Sequence, residues 1–210
     1  SSGSEPWGWL DTGANNSMVE NNNLFKTYDV SGDMAFGTSS TLSDIHSHYS
    51  LATYDAGVGF VFTGRMLMSA SNSGIGVTFL SDYANSDTYY RLRRYSNKSF
   101  HLAPHGTTVA GDIDTGVIPT ADTWYLFKVQ VQDTGSRTEI KARVWQQGAV
   151  EPTVWQVEAY DESPTRLTSG RIGVWSYSSG SKYWDDLAVA SSAPGNNIHC
   201  VSNETELHNA

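Results

Sequence analysis

Thr168-Ser-Gly-Arg-Ile-Gly-Val-Trp-Ser-Tyr177, a short Ser-Gly turn, and Lys182-Tyr-Trp-Asp-Asp-Leu-Ala-Val189 read as the last two antiparallel strands of an all-β chain. Ile172 and Val174 in the first segment, and Leu187 and Val189 in the second, alternate with other residues at period two. That spacing sends one row of side chains into a core, and Gly180 marks the turn between the rows. Asp is disfavoured in a strand interior, so Asp185 and Asp186 beside Trp184 predict a bound cation or a hydrogen-bond network. In a regular strand the two carboxylates point to opposite faces, and only a bulge brings both to one site.

The same alternation between turn formers continues upstream. It predicts strands at 24–30, 34–38, 45–51, 57–68, 74–80, 88–95, 98–103, 124–132, 138–146, 153–159, 170–177 and 182–190. Short strands so spaced imply a two-sheet antiparallel β-sandwich rather than βαβ units, and no internal repeat points to a propeller or solenoid. A length of 210 residues suits one such domain. The 19 Gly, 7 Trp, 11 Tyr and 7 Phe favour strands and turns over helices. Residues 1–16 read as an N-terminal extension, 17–190 as the sandwich, and 191–210 as a linker, Ser191-Ser-Ala-Pro-Gly-Asn-Asn197, followed by the start of another domain.

A net charge of −9 and a pI near 5.0 oppose nucleic-acid binding. No apolar run reaches the roughly 20 residues that cross a bilayer, so no membrane role is expected. The N-terminal Ser-Ser-Gly-Ser-Glu has neither a basic nor an apolar leader region, and any signal peptide is expected to have been removed. The lone Cys200 cannot form an internal disulfide. A monomer is expected.

Lys and Arg together number only 13, yet Arg91, Arg93, Arg94 and Lys98 cluster among Tyr89, Tyr90, Tyr95, Phe100, His101 and His105. Alternation puts Tyr89, Arg91, Arg93 and Tyr95 on one strand face and Tyr90, Leu92 and Arg94 on the other. Leu92 marks the core side, so the first set is expected to be exposed. Guanidinium forks match carboxylates and sulfates, and tyrosine rings stack on the apolar faces of sugars, so the pairing suits an anionic polysaccharide. Trp175 and Tyr177, opposite Ile172 and Val174, are expected on an exposed sheet face or groove. His46 and His48 share a strand face and, with Arg65, join this surface if their strands are neighbours. Trp124, Trp145 and Trp155 fall in regular strand patterns and are expected in the core.

Ala142-Arg-Val-Trp145, Gly148, Glu151-Pro152, Trp155 and Asp161 accompany the closing segments, with Leu24-Phe-Lys, Ala35-Phe-Gly-Thr38, Ile45-His-Ser-His-Tyr49 and Asn15-Asn-Ser-Met in the first half. Over roughly residues 17–190 the chain resembles the laminin-G-like, concanavalin-type jelly rolls appended to bacterial polysaccharide-degrading enzymes. The resemblance implies a binding role on a secreted polysaccharide-degrading enzyme, and together with the arginine–tyrosine face it leads to the expectation of a noncatalytic carbohydrate-binding module that tethers an adjoining catalytic domain to an acidic polysaccharide. It also implies a structural calcium joining the final strand to the first, with Asp186, Asp185 and Asn21 as ligands. The tail Val201-Ser-x-x-x-Glu-Leu-x-x-Ala210 resembles the N-terminal cap of right-handed parallel β-helix enzymes, many of them polysaccharide lyases.

Catalytic patterns are missing from the sequence. No closely spaced Glu-x-Asp-x-x-Glu strand offers the carboxylate pair of a glycosidase. Arg91-Leu-Arg-Arg94 lacks the Glu of the Arg-x-Glu-x-Arg strand of jelly-roll alginate lyases, and no Gln-x-His occurs. Two rival expectations stand beside the binding module. One is a polysaccharide lyase or hydrolase using His46, His48, Tyr49 and nearby arginines. The other is a structural domain that packs on its neighbour and binds no sugar.

Overall fold

The computed structural model describes residues 3–12, 24–192 and 198–200, the last as backbone only. Two antiparallel sheets face each other. The first holds, in order, β1 (Trp9–Thr12), β4 (Ile45–Tyr49), β14 (Ser169–Tyr177), β7 (Gly74–Ser81), β8 (Tyr90–Arg94) and β9 (His101–Leu102), with β5 (Tyr54–Asp55) on β14 as its seventh strand. The second has nine strands. They run β10 (Ala110–Asp112), β13 (Val157–Asp161), β12 (Thr138–Gln146), β11 (Tyr125–Asp133), β6 (Phe60–Met68), β15 (Lys182–Ser191), β3 (Asp33–Thr38), β2 (Lys26–Val30), with β16 (Ile198–Cys200) paired to β15. No helix occurs among the described residues.

The molecule is the all-β, two-sheet sandwich that the alternation predicts, and the jelly roll that the resemblance implies. The core lies between the sheets: Ile45, Ile75, Val77, Phe79, Tyr90, Leu92, Ile172 and Val174 come from the first, and Phe62, Phe127, Val129, Ile140, Val144, Trp184, Leu187 and Val189 from the second. Trp184 also ties the sheets by a polar link, its indole Nε1 donating to the Gly76 carbonyl at 3.1 Å. Trp9–Thr12, inside the stretch read as an extension, pairs with β4 and carries Trp9 into the core against Phe36.

Three readings change. The closing segments do not pair with each other: β14 belongs to the seven-stranded sheet and β15 to the nine-stranded one, so the turn between them crosses the sandwich. Buried Lys182 holds that crossing, its ammonium donating to the carbonyls of Ser40 (3.0 Å), Ser178 (2.6 Å) and Gly180 (2.8 Å). The strand expected at 153–159 forms instead at Val157–Asp161. There, Gln156 reaches back to accept the Val144 backbone N–H at 2.7 Å, a side-chain bond in place of a ladder bond.

Trp124, Trp145 and Trp155 are not in the core. They are half-buried, with Arg65 over Trp124 (4.7 Å) and Arg143 over Trp155 (3.9 Å). A guanidinium covers an indole face as effectively as a core side chain does while remaining hydrated at its edge, and strand alternation alone does not distinguish the two.

Candidate functional site

Strand order decides which residues meet on the outer face of the seven-stranded sheet. β4 lies against β14, which lies against β7, which lies against β8. The register sets His46 opposite Trp175, Trp175 opposite Gly76, Gly76 opposite Arg93, and Arg93 opposite His101. The next row runs His48, Gly173, Thr78, Arg91. Small residues on the middle strands make this possible. A Cβ on Gly173 would lie 2.9 Å from His48 Cδ2, and one on Gly74 would lie 3.0 Å from the Trp175 ring. The imidazole and indole therefore lie across their neighbouring strands.

Eight residues expected from the sequence to bind sugar thus share one face: Tyr89, Arg91, Arg93, Tyr95, His46, His48, Trp175 and Tyr177. Cations and rings alternate along it. Arg91 sits between Tyr89 (5.3 Å) and Trp175 (4.3 Å), and Arg93 between Trp175 (5.3 Å) and Tyr95 (4.4 Å). Tyr177 stacks on Trp175 at 5.9 Å, and Lys98 lies 5.4 Å over Tyr95.

The face has a covered half and an open half, a division the sequence does not reveal. His46, His48 and Trp175 are fully buried, Tyr89 is buried, and Arg91 is 4% exposed. Arg93, Tyr95, Tyr177 and His101 remain half-exposed, and Lys98 is exposed. The expectation that Tyr89, Arg91 and Trp175 stand open is therefore corrected: the side is right, but two connections fold over it. Residues 82–88 bring Tyr83 over His46 at 4.5 Å, stacked, with Tyr89 edge-on at 5.1 Å. The other connection, 39–44, ends in Asp44, whose carboxylate accepts the Trp175 Nε1–H at 3.0 Å and lies 3.6 Å from Arg91 Nη1. Neither Asp44 nor Tyr83 was a sequence-level candidate, because a single Asp or Tyr in a connection carries no periodic signal.

The buried groups are poised for hydrogen bonding. His48 Nε2 pairs with Ser81 Oγ at 3.1 Å, while His48 Nδ1, both His46 ring nitrogens and Arg91 Nε have no hydrogen-bond partner among the described residues. Burial holds both imidazoles neutral: His48 is lowered to about 3, and His46 falls well below its ordinary value, with His48, Arg91 and His105 adding to the effect. Neutral imidazoles both donate and accept hydrogen bonds.

Two expected members lie elsewhere. Arg65 is on β6 of the opposite sheet, so it is not part of this face. It binds Asp185 at 2.5 Å, Asp186 at 3.1 Å and Asp33. A register shift after Asp185 and a left-handed Asp186 (φ 53°) form the bulge that lets both carboxylates converge on one guanidinium. Tyr49 points into the core beside Trp9, opposite His46 and His48. No group of three or more His, Cys, Asp or Glu able to hold a metal occurs among the described residues, and Asn21 lies outside them.

No protein-family model and no curated protein matches the chain. Solved structures do. Carbohydrate-binding module CBM66 of Bacillus subtilis matches with a TM-score of 0.53 at 12% identity, over 89% of this chain and 97% of that one. A Bacillus subtilis protein of unknown function with a galectin-like fold gives 0.54 at 12% identity, over 86% and 88%. A glycosyl hydrolase family protein from Mycobacterium fortuitum gives 0.52 at 11% identity, over 89% and 94%. What these similarities establish is a shared fold: the chain is a β-sandwich jelly roll like theirs.

Proposed function

We propose that the chain is a noncatalytic carbohydrate-binding module that holds a secreted enzyme on an acidic polysaccharide. The observation that carries this reading is the convergence of four arginine-ring contacts and two neutral histidines on one sheet face, part of it open to solvent. Arg93 and Tyr95 supply a cation beside a ring plane, the combination that meets an anionic group and an adjacent apolar sugar face. A fold shared with a carbohydrate-binding module and a glycosyl hydrolase family protein supports a sugar-directed role. Tethering raises the local concentration of an attached enzyme on its polymer.

The test is a titration of the chain against soluble polyuronates, sulfated glycans and neutral glucans. Binding confined to the anionic polymers is expected, and indifference to all of them would overturn the reading. Eliminative cleavage is a second reading, favoured by one observation. A neutral His46, its ring nitrogens without hydrogen-bond partners among the described residues, stacks on Tyr83 beside the Tyr89–Arg91 pair, placing a base, two phenols and a cation together. Unsaturated ends appearing during the same titration, and lost in His46→Gln, would establish it.

Calcium is a separate proposal for the opposite sheet. An ion there would take Asp186 from Arg65. A calcium-dependent rise in Tm that disappears in Asp186→Asn is the expected result. A wild-type Tm indifferent to calcium and to chelator would remove the ion.

A further inference from the structure

The covered half of the face contains an unusual contact. Arg91 is buried and carries a permanent charge, yet among the described residues its single carboxylate partner is Asp44, at 3.6 Å. That is longer than a charge-assisted hydrogen bond, and Arg91 Nε has no hydrogen-bond partner among the described residues. Asp44 itself exposes 60% of its side chain and is held there with a left-handed backbone, φ 52°. A non-glycine residue in that conformation is a strained one, tolerated best by Asn and Asp. The other acidic residue at this rim, Asp87, is engaged by His105 at 3.0 Å.

We propose that Asp44 is a built-in stand-in for the ligand's anionic group and sets the selectivity of the site. Its carboxylate neutralises Arg91 while the face is empty, and a carboxylate or sulfate of the glycan takes its place. The solvent-exposed aspartate, loosely paired with Arg91, moves aside and releases the Trp175 indole N–H to the incoming anion, and the arginine gains the fork geometry that Asp44 does not give it. A neutral sugar has no charge with which to displace Asp44, so the aspartate discriminates against it. This inference rests on the proposed acidic-glycan site.

Asp44→Asn is the appropriate variant, because its amide oxygen still accepts the Trp175 indole N–H while the competing charge is removed. Titration of wild type and variant with oligogalacturonate, with dextran sulfate and with neutral dextran separates the cases. Removing one exposed competing charge should tighten the anionic probe by roughly three- to tenfold, with neutral dextran unchanged. Which of the two anionic probes shows the gain identifies carboxylate or sulfate as the displacing group. Wild-type binding with no gain in the variant, or weaker binding because Asp44 itself contacts the sugar, overturns the inference and leaves the site standing. Silence of both proteins toward every probe overturns the site and the inference together.

Discussion

Trp184→Ala is expected to destabilise the protein by about 3–5 kcal/mol, the usual range for emptying a buried tryptophan site, and to lower Tm by roughly 10 °C in a domain of this size. The side chain is completely buried and packs against Phe25 at 6.0 Å. Its loss does two kinds of damage. It opens a cavity between sheets that have no room to collapse, and it leaves the Gly76 carbonyl without the donor that crosses the sandwich. Trp184→Phe keeps most of the packing and loses only the hydrogen bond, so its cost should fall to about 1–2 kcal/mol. Thermal unfolding of the three proteins checks this. Equal stability of wild type and Trp184→Ala would mean that β15 does not seat its tryptophan in the core.

The second large effect is on pH dependence. His46 and His48 have depressed values in the fold, so the unfolded chain takes up protons that the folded chain refuses as pH falls below about 6.5. Each histidine then removes about 1.4 kcal/mol of stability per pH unit. Asp11 works the other way. Buried at the sheet edge beside Glu5, it is raised to about 9, so between that value and its ordinary one the folded chain holds a proton that the unfolded chain does not. Its contribution is lost as pH rises. Below pH 6 the two histidines outweigh the one carboxyl, and between pH 6.5 and 8 the carboxyl acts without them. Stability should therefore peak near pH 6.5 and fall by about 1.4 kcal/mol per unit on the acid side. His48→Gln, which can keep the bond to Ser81, should flatten the acid limb, and Asp11→Asn, which still accepts the Phe25 N–H, the alkaline one. A Tm that is level from pH 5 to 8 would contradict both burials.

What alternation could reveal, and what it could not, follows from the kind of information a strand carries. Period two assigns faces, and it put Tyr89, Arg91, Arg93 and Tyr95 together, opposite Leu92, as found. It cannot assign neighbours. His46 meets Trp175 because β4 and β14 are adjacent although far apart in sequence, whereas Arg65 lies on the opposite sheet for the same topological reason. Nor can it report cover. Arg91 and Trp175 are buried by connections whose turn-forming sequences look like ordinary loops. The Asp185-Asp186 pair was anomalous for a strand, and the anomaly is a bulge that turns both carboxylates onto Arg65. The sequence flagged the irregularity, and only the fold named its partner.

Glycan binding by Arg93→Ala is the decisive measurement for the proposed site. Arg93 is half-exposed on the open part of the face and rests on Tyr95, so its removal should leave Tm nearly unchanged. Arg91→Ala would confuse the result, since that side chain is buried against Trp175. Arg137→Ala, in the turn that leads into β12, removes the same charge from a surface pair with Glu139 and serves as the control for general electrostatics. Arg93→Ala is expected to weaken binding to an anionic polysaccharide about tenfold or more, in the range of a lost charge-assisted contact, while Arg137→Ala binds like wild type. Equal affinity in Arg93→Ala and wild type, or equal losses in both variants, would contradict it.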